Sequence, residues 1–345
     1  MLLRDLMQNM FLPKKEIFIN KIVKIREIDL HLISITMEEH KNVLWAMYQL
    51  PCHLDEGIDS EEKTEYTSNR NEMINNISKR MSSPHIHISE IMIQKQKMIF
   101  SSSSERSMSD RACEGYMQLQ HFIEKGMDTT NWNEVDLANI IIVTYEQKES
   151  EEFPAIDLSK KLDITLKVSK DFKQVLINQP ITLEFGEVEK GEKLYFYDSI
   201  EKKNRIFYID KMNHYDIWEE VNRNLEDQLM QVLPKEQIME VKEQYLIGLE
   251  KTCPEGMNLA MLEYETQDGV QLDFYCKEYL DEVPAPKTSS VSTMLFKSDR
   301  ELGSNGFKSR VRMIKPVEKD FNGSIDVELF SLFTEIPEEI ITVLN

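Results

Sequence analysis

Closely spaced cysteines are missing from this chain, and so is any long apolar run. Cys52, Cys113, Cys253 and Cys276 stand far apart, and no two form a CxxC. That spacing builds neither a zinc ribbon nor a dense disulfide framework, and it suits four free thiols in a reducing compartment. A catalytic thiol would need a base beside it, which spacing alone does not place. The longest apolar stretch, residues 137–143, is interrupted by Asn139 and falls short of the roughly 18 to 20 residues of a membrane span. Arg4 and Asp5 break what would be the apolar core of a secretory signal. The expectation is a soluble cytoplasmic chain with no membrane span.

Glycine and proline number 11 each in 345 residues, too few for a collagen-like or linker-dominated chain. Positive charge is also short. Lys and Arg total 41 against 61 Asp and Glu, leaving a net charge of −20 that repels nucleic-acid phosphates and anionic lipids. No nucleic-acid partner is expected. A GxGxxG after a strand, GxSxG, HExxH, the kinase motifs and an EF-hand loop are all absent. No catalytic residue, cofactor or metal is therefore assigned.

What is present is 41% hydrophobic and 30% charged residues, with a mean hydropathy of −0.44. That is enough apolar chain for one or two buried cores. Residues 1–150 read as a mixed region of helices and a few strands, with polar segments at 52–84 and 101–110. Leu3, Leu6, Met7 and Met10 recur at helical spacing up to Pro13. Residues 22–32 fit a helix, 32–37 fit a strand, and 38–50 fit a helix that ends at Pro51. A short helix fits 72–81, strands fit 85–100 and 140–145, and Ser101–Ser104 reads as a flexible connection. Ala112, Tyr116, Leu119 and Ile123 define a helix face, with Gly126 as its stop.

Residues 151–345 read as an antiparallel, β-rich α+β domain containing a helix pair at about 215–250. Strands fit 162–168, 175–177, 181–188 and a hairpin over 194–208. Asp216 with Glu219 resembles a capping box, and Pro234 opens the second helix. Leu262, Tyr264 and Thr266, then Val270, Leu272, Phe274 and Cys276, alternate about Asp268-Gly269, the pattern of a hairpin with a type I′ turn. Strands also fit 292–296, 307–314 and 324–330, and a short helix fits 337–344. The fold class expected is α+β: mostly antiparallel sheet with flanking helices, in two subdomains.

Three clusters carry chemistry-bearing side chains. His85 and His87 share one strand face and could reach one metal, but a third ligand is missing and ordinary strand histidines are the commoner case. Cys52-His53-Leu54-Asp55-Glu56 has no partner pair at finger spacing and reads as a polar loop. Lys308, Arg310 and Arg312 share a strand face in an otherwise acidic chain, a weak candidate for holding an anion or an acidic partner. Gly303-Ser304-Asn305-Gly306 precedes them without the lysine of a phosphate loop. The competing reading pairs the arginines with Asp326 and Glu328 of the next strand, each exposed pair contributing about 0.2 to 1 kcal/mol.

The function these observations favour is a non-enzymatic interaction protein that binds another protein through a sheet face or the helix pair. The alternative is an enzyme or anion-binding protein whose site assembles from distant residues, either His85 and His87 or Lys308, Arg310 and Arg312. The turn gives a first test. Gly269→Val should destabilise the chain by about 1 to 3 kcal/mol, because positive φ strains a β-branched residue. An unchanged denaturation midpoint would rule out a left-handed residue there.

Overall fold

The structure, a computed structural model, describes residues 12–38, 40–50, 67–82, 86–108, 113–232, 234–285, 296 and 298–343. In chain order the elements begin β1 (Lys15–Ile25), β2 (Ile28–Glu38), β3 (Lys41–Gln49), α1 (Asn69–Ser82), β4 (Ile88–Ile93) and β5 (Gln96–Ile99). Then come β6 (Ser102–Ser107), α2 (Cys113–Glu124), β7 (Ile140–Glu146), β8 (Ile164–Val168), β9 (Asp171–Glu184), β10 (Gly186–Asp198) and β11 (Lys203–Tyr215). The remainder is α3 (Ile217–Val232), α4 (Lys235–Thr252), β12 (Met257–Thr266), β13 (Gln271–Cys276), α5 (Lys277–Asp281), β14 (Ser309–Glu318), β15 (Ser324–Ile336) and β16 (Glu339–Val343). Half of the chain is strand and a fifth helix, arranged in four sheets. This corrects the α+β expectation: the protein is mostly antiparallel β, with few helices. None of the helices among the described residues is long and apolar enough to cross a membrane.

The chain divides into two units. The first comprises Met1–Glu62, Lys79–Asp171 and Ile336–Asn345, and the second Lys63–Ser78 and Phe172–Glu335. In the first unit the sheet β1-β2-β3-β7-β6 stacks on the sheet β16-β8-β4-β5. Leu32, Leu44, Ala46, Tyr48, Val143 and Tyr145 from one sheet meet Ile88, Ile91, Leu166 and Val168 from the other. The Tyr145 hydroxyl crosses this core to donate to the Ile86 carbonyl at 2.7 Å. The opposite face of the larger sheet carries Ile33, Val43, Trp45, Met47 and Ile142, and packs against Leu119 and Phe122 of α2 and against Trp132.

The second unit repeats the logic. The sheet β10-β11-β12-β14 stacks on β13-β15-β9 through Phe207, Leu262, Tyr264, Leu272, Phe274, Val327 and Leu329. Its other face lies under α3 and α4, through Ile217, Val221, Leu225 and Leu249 against Leu259 and Met261. Asp216 Oδ1 accepts from the Glu219 amide at 2.9 Å, the cap its sequence spacing predicts. Ile77 of α1 packs with Leu280 and Phe330. Arg70 grips Glu328 with two hydrogen bonds, at 2.5 and 2.8 Å.

Both larger sheets are covered on both faces, which explains where the sequence misleads. Residues 38–50 read as helix because no polar alternation shows, yet Lys41–Gln49 is strand β3. Val43, Trp45 and Met47 face α2 while Leu44, Ala46 and Tyr48 face the second sheet, so both faces demand apolar residues. The stretch 22–32 likewise forms the ends of β1 and β2, joined at Arg26-Glu27. Residues 337–344 contain strand β16, which pairs with β8, in place of the expected helix. Ser101–Ser104 is no loose connection: Ser102–Ser107 forms β6, held by its ladder to β7 with exposed side chains. The helix expected at 3–11 and the strand expected at 292–295 lie outside the described residues.

The turn at Asp268-Gly269 exists, but the hairpin does not. β12 lies between β11 and β14, whereas β13 pairs with β15 in the other sheet. The chain therefore crosses from one sheet of the sandwich to the other. Tyr264 bridges the crossing, its hydroxyl donating to the Leu272 carbonyl and accepting from the Leu272 amide, each at 3.0 Å. Gly269 has φ +75°, while Asp268 has no positive φ, so the geometry is not type I′. Two tight two-residue hairpin turns among the described residues are Arg26-Glu27 (φ 47° and 70°) and Gln94-Lys95 (φ 50° and 69°), which carry no glycine or asparagine signal.

His31 on β2 sits fully buried and stacked on Trp132, with ring centroids 6.0 Å apart. Its Nε2 meets Asn20 Oδ1 at 2.9 Å and its Nδ1 has no partner. Burial lowers its pKa from 6.5 to about 4. Between those values the unfolded chain binds a proton that the native chain refuses, so stability falls as pH drops from about 6.5 to about 4, by on the order of 3 kcal/mol. Urea midpoints measured across this range should fall less steeply in His31→Gln than in the parent. Identical slopes would remove His31 as the cause.

Candidate functional site

The alternation of β14 puts Lys308, Arg310 and Arg312 on one side of the strand, as the sequence predicts. Their neighbours are not those expected. β14 pairs with β12, and β15 belongs to the other sheet, so Asp326 and Glu328 are not cross-strand partners of the arginines. Asp326 accepts instead from Thr182 and Glu328 from Arg70. In register, Arg310 lies opposite Tyr264 and Arg312 opposite Leu262, so both leave the strand on the side that faces the second sheet. Arg310 donates to the Gly269 carbonyl. Arg312 forms an ion pair with Asp273 at 2.5 Å and lies 5.8 Å over the Tyr275 ring. Lys308 is exposed beyond the start of the strand.

Asp273 is the residue that sequence reasoning passed over. It is buried, and accepts from Ser331 Oγ and Gln174 Nε2, both at 3.3 Å, while Gln174 also donates to Ser331 at 2.8 Å. Burial pushes its pKa up, and Arg312 and Ser331 pull it down. The network joins β9, β13, β14 and β15. Its only sequence signal is an acid between Leu272 and Phe274 inside a strand.

Arg312 also lines a cleft of 840 Å³, together with Lys315, Tyr275, Tyr279, Cys276 and Glu278. Tyr275 and Tyr279 stack in it at 5.9 Å. Two of the three cations lining the cleft are already matched, Arg312 by Asp273 and Lys315 by Glu278 at 2.6 Å, and Lys251 is the third. The Cys276 thiol is pushed up by burial, which keeps it protonated, and buried Cys253 is shifted the same way. The loop before β14 does not offer its amides to an anion either. The amides of Asn305 and Phe307 donate to Glu265, at 2.8 and 2.7 Å.

His87 is half-buried, with Nδ1 3.2 Å from Ser103 Oγ and its ring 6.5 Å from Tyr145. His85 and the 52–56 cluster lie outside the described residues. Among the described residues no group of three or more His, Cys, Asp or Glu side chains is placed to hold a metal.

A second concave surface runs along α4. It measures 1110 Å³ and is lined by Ile238, Met239, Leu246 and Ile247, with Glu226 of α3 and with Glu240, Lys242, Glu243, Glu250 and Lys251 around it. Met239 is 82% exposed and Ile247 47%, large apolar side chains left in solvent. Lys242 ties the two helices together through Glu226 at 2.8 Å.

Comparison with family models, with curated proteins and with solved structures returns no match. The geometry of the second unit therefore stands by itself.

The Arg312 network yields a test. Arg312→Gln strips the counter-charge from a buried carboxylate, and should cost about 3 kcal/mol, the low end for breaking a buried pair because Arg312 keeps part of its side chain in solvent. Equilibrium urea unfolding measures this. A loss below about 0.5 kcal/mol would return the pair to the exposed class that the sequence alone suggests.

Proposed function

We propose that this chain is a non-enzymatic binding protein of the cytoplasm, and that its partner is another protein, docked as a basic amphipathic helix along α4. One observation carries the reading: Met239 and Ile247 lie in solvent beside half-buried Leu246, an apolar strip flanked by more acids than cations. A helix partner matches the strip in form. α4 runs 18 residues, about 27 Å at 1.5 Å per residue, room for anchors at i, i+3/i+4 and i+7. Methionine in such a strip adapts its shape to what lands on it. Glu226, Glu240, Glu243 and Glu250 outnumber Lys242 and Lys251, and the whole chain carries −20, so basic flanks on the partner are favoured. The arginine cleft supports the alternative, anion-binding reading less well, because Arg312 and Lys315, two of its three cations, already hold carboxylates.

Two synthetic amphipathic helices of equal apolar face, one with a lysine polar face and one with a glutamate polar face, separate the possibilities. Fluorescence anisotropy should show binding of the basic peptide alone. The double variant Met239→Glu/Ile247→Glu should weaken that binding about tenfold or more while keeping its fold, since both side chains are exposed. The added negative charge would by itself strengthen attraction to a basic peptide, so a loss reports the apolar contact. Equal binding by the variant, preference for the acidic peptide, or self-association of the chain through this face would each overturn the proposal.

A further inference from the structure

Asp210 on β11 and Glu265 on β12 are acids buried side by side, Asp210 5% exposed and Glu265 fully enclosed. Above them lies the loop Gly303–Phe307, folded on itself through Gly306 N–H to the Gly303 carbonyl at 3.2 Å and Gly303 N–H to the Phe307 carbonyl at 2.9 Å. The loop donates downward. Glu265 accepts from the amides of Asn305 and Phe307 and from Asn305 Nδ2, and the Ser304 hydroxyl donates to Asp210 Oδ1. A Cβ built on Gly303 would fall 2.2 Å from Asp210 Oδ2 and 2.3 Å from Glu265 Cδ, so both carboxyl groups crowd one point under that Cα. Gly191 of β10 closes the other side, where a Cβ would lie 2.4 Å from Asn305 Nδ2 and 3.2 Å from Asp210 Oδ1.

Among the described residues neither carboxylate has an ion pair. Lys211 and Arg300, the cations on β11 and on the approach to the loop, both serve Glu263, at 3.0 and 3.4 Å. Arg310 of β14 is on Gly269, and Lys308 is exposed. Asp210 Oδ2 has no hydrogen-bond partner although it is buried. Two buried carboxylates crowded beneath one Cα oppose each other's charge, and one proton between them removes the conflict. That proton gives the unpartnered oxygen a donor role toward Glu265. Burial and Glu265 shift Asp210 upward, whereas the loop amides and Asp210 pull Glu265 down.

We propose that Asp210 and Glu265 form a proton-operated latch: one shared proton holds the 303–307 loop on the sheet, and its loss puts two charges beneath Gly303 and frees the loop. The direction follows from the chemistry. Asp210 is the member that keeps its proton above the usual aspartate range, so the latch opens as pH rises through that transition. Glu265 remains ionised on both sides of it, so above the transition two like charges share the space beneath Gly303 and drive the loop off the sheet. The segment released leads directly into β14, so the latch governs the anchorage of the strand that carries Arg310 and Arg312.

Amide hydrogen exchange on the full chain tests this, with carboxyl-carbon NMR alongside. Protection of the Asn305 and Phe307 amides, corrected for the intrinsic pH dependence of exchange, should fall about tenfold or more between about pH 4 and about pH 9, while amides in the centre of β12 stay protected. Asp210→Asn keeps a neutral donor at every pH, and its loop should stay protected throughout. Glu265→Gln, the second variant, should abolish the pH response as well, because one negative charge is removed. The two carboxyl carbons of the parent should titrate as a coupled pair with one transition raised. Independent titration of both at ordinary acid values, a flat protection profile in the parent, or an unchanged profile in both variants would overturn the latch.

Discussion

A sheet that is buried on both faces has nowhere to put polar side chains except at its edges and turns. The two larger sheets, β1-β2-β3-β7-β6 and β10-β11-β12-β14, each have a second sheet on one face and helices on the other. Most of the structure follows from that enclosure. It demands Leu44 beside Trp45 beside Ala46 in one strand, and it gives α2, α3 and α4 a surface to cover, so their inner faces need only a single apolar stripe. It also leaves α4 as the outermost layer of the second unit, which is why its outer side is the surface that meets solvent with Met239 and Ile247.

Charges shut inside such a molecule are handled at the rims, and each rim is handled differently. Arg205 is buried at the β10–β11 turn and is matched by Asp198 at 2.8 Å, by Glu201 at 3.1 Å and by Asp268 from the crossing between sheets. Here one cation satisfies several acids and ties two turns together. At Arg312 a half-buried cation meets a buried acid, whose charge burial disfavours and the cation favours. At Asp210 and Glu265 no cation among the described residues forms an ion pair, and backbone amides serve instead. Compensation by opposite charge shrinks along that series, so the carboxyl pair is the rim most sensitive to its surroundings.

What the sequence announces, and what it hides, divides along the same line. Helices α3 and α4 were legible because one face is wet: Ile217, Val221, Leu225 and Leu229 repeat at 3.6-residue spacing beneath a real Asp216 cap. The β10–β11 hairpin was legible because the helices cover β12 and β14 and leave β10 open, with Tyr195 and Tyr197 exposed. Strand β3 was not, because burial on both sides erases the alternation that marks a strand. Asp268-Gly269 misled because a local turn signal says nothing about whether the strands beyond it pair or part, and here they part. The cations of β14 were found, but their partners were not, since Asp273 and Gly269 come from a strand and a turn that only the crossing brings near. Glu265 was hidden for another reason: it occupies a polar slot in an alternating strand, where an acid is expected to face water, and its burial comes from a loop 40 residues away.

The pairing of β16 with β8 has a consequence for how the chain is made. β8 ends at Val168 and its partner begins at Glu339, so the second unit's longest stretch, Phe172–Glu335, is synthesised between them. At 5 to 20 residues per second, β8 waits on the order of ten to thirty seconds for that neighbour. Throughout that interval the first unit presents an open hydrogen-bonding edge on the ribosome, the kind of surface that recruits strands from other nascent chains. Vectorial synthesis thus leaves the first unit to be completed last, and a chain truncated before Glu339 would leave it permanently with that unfinished border.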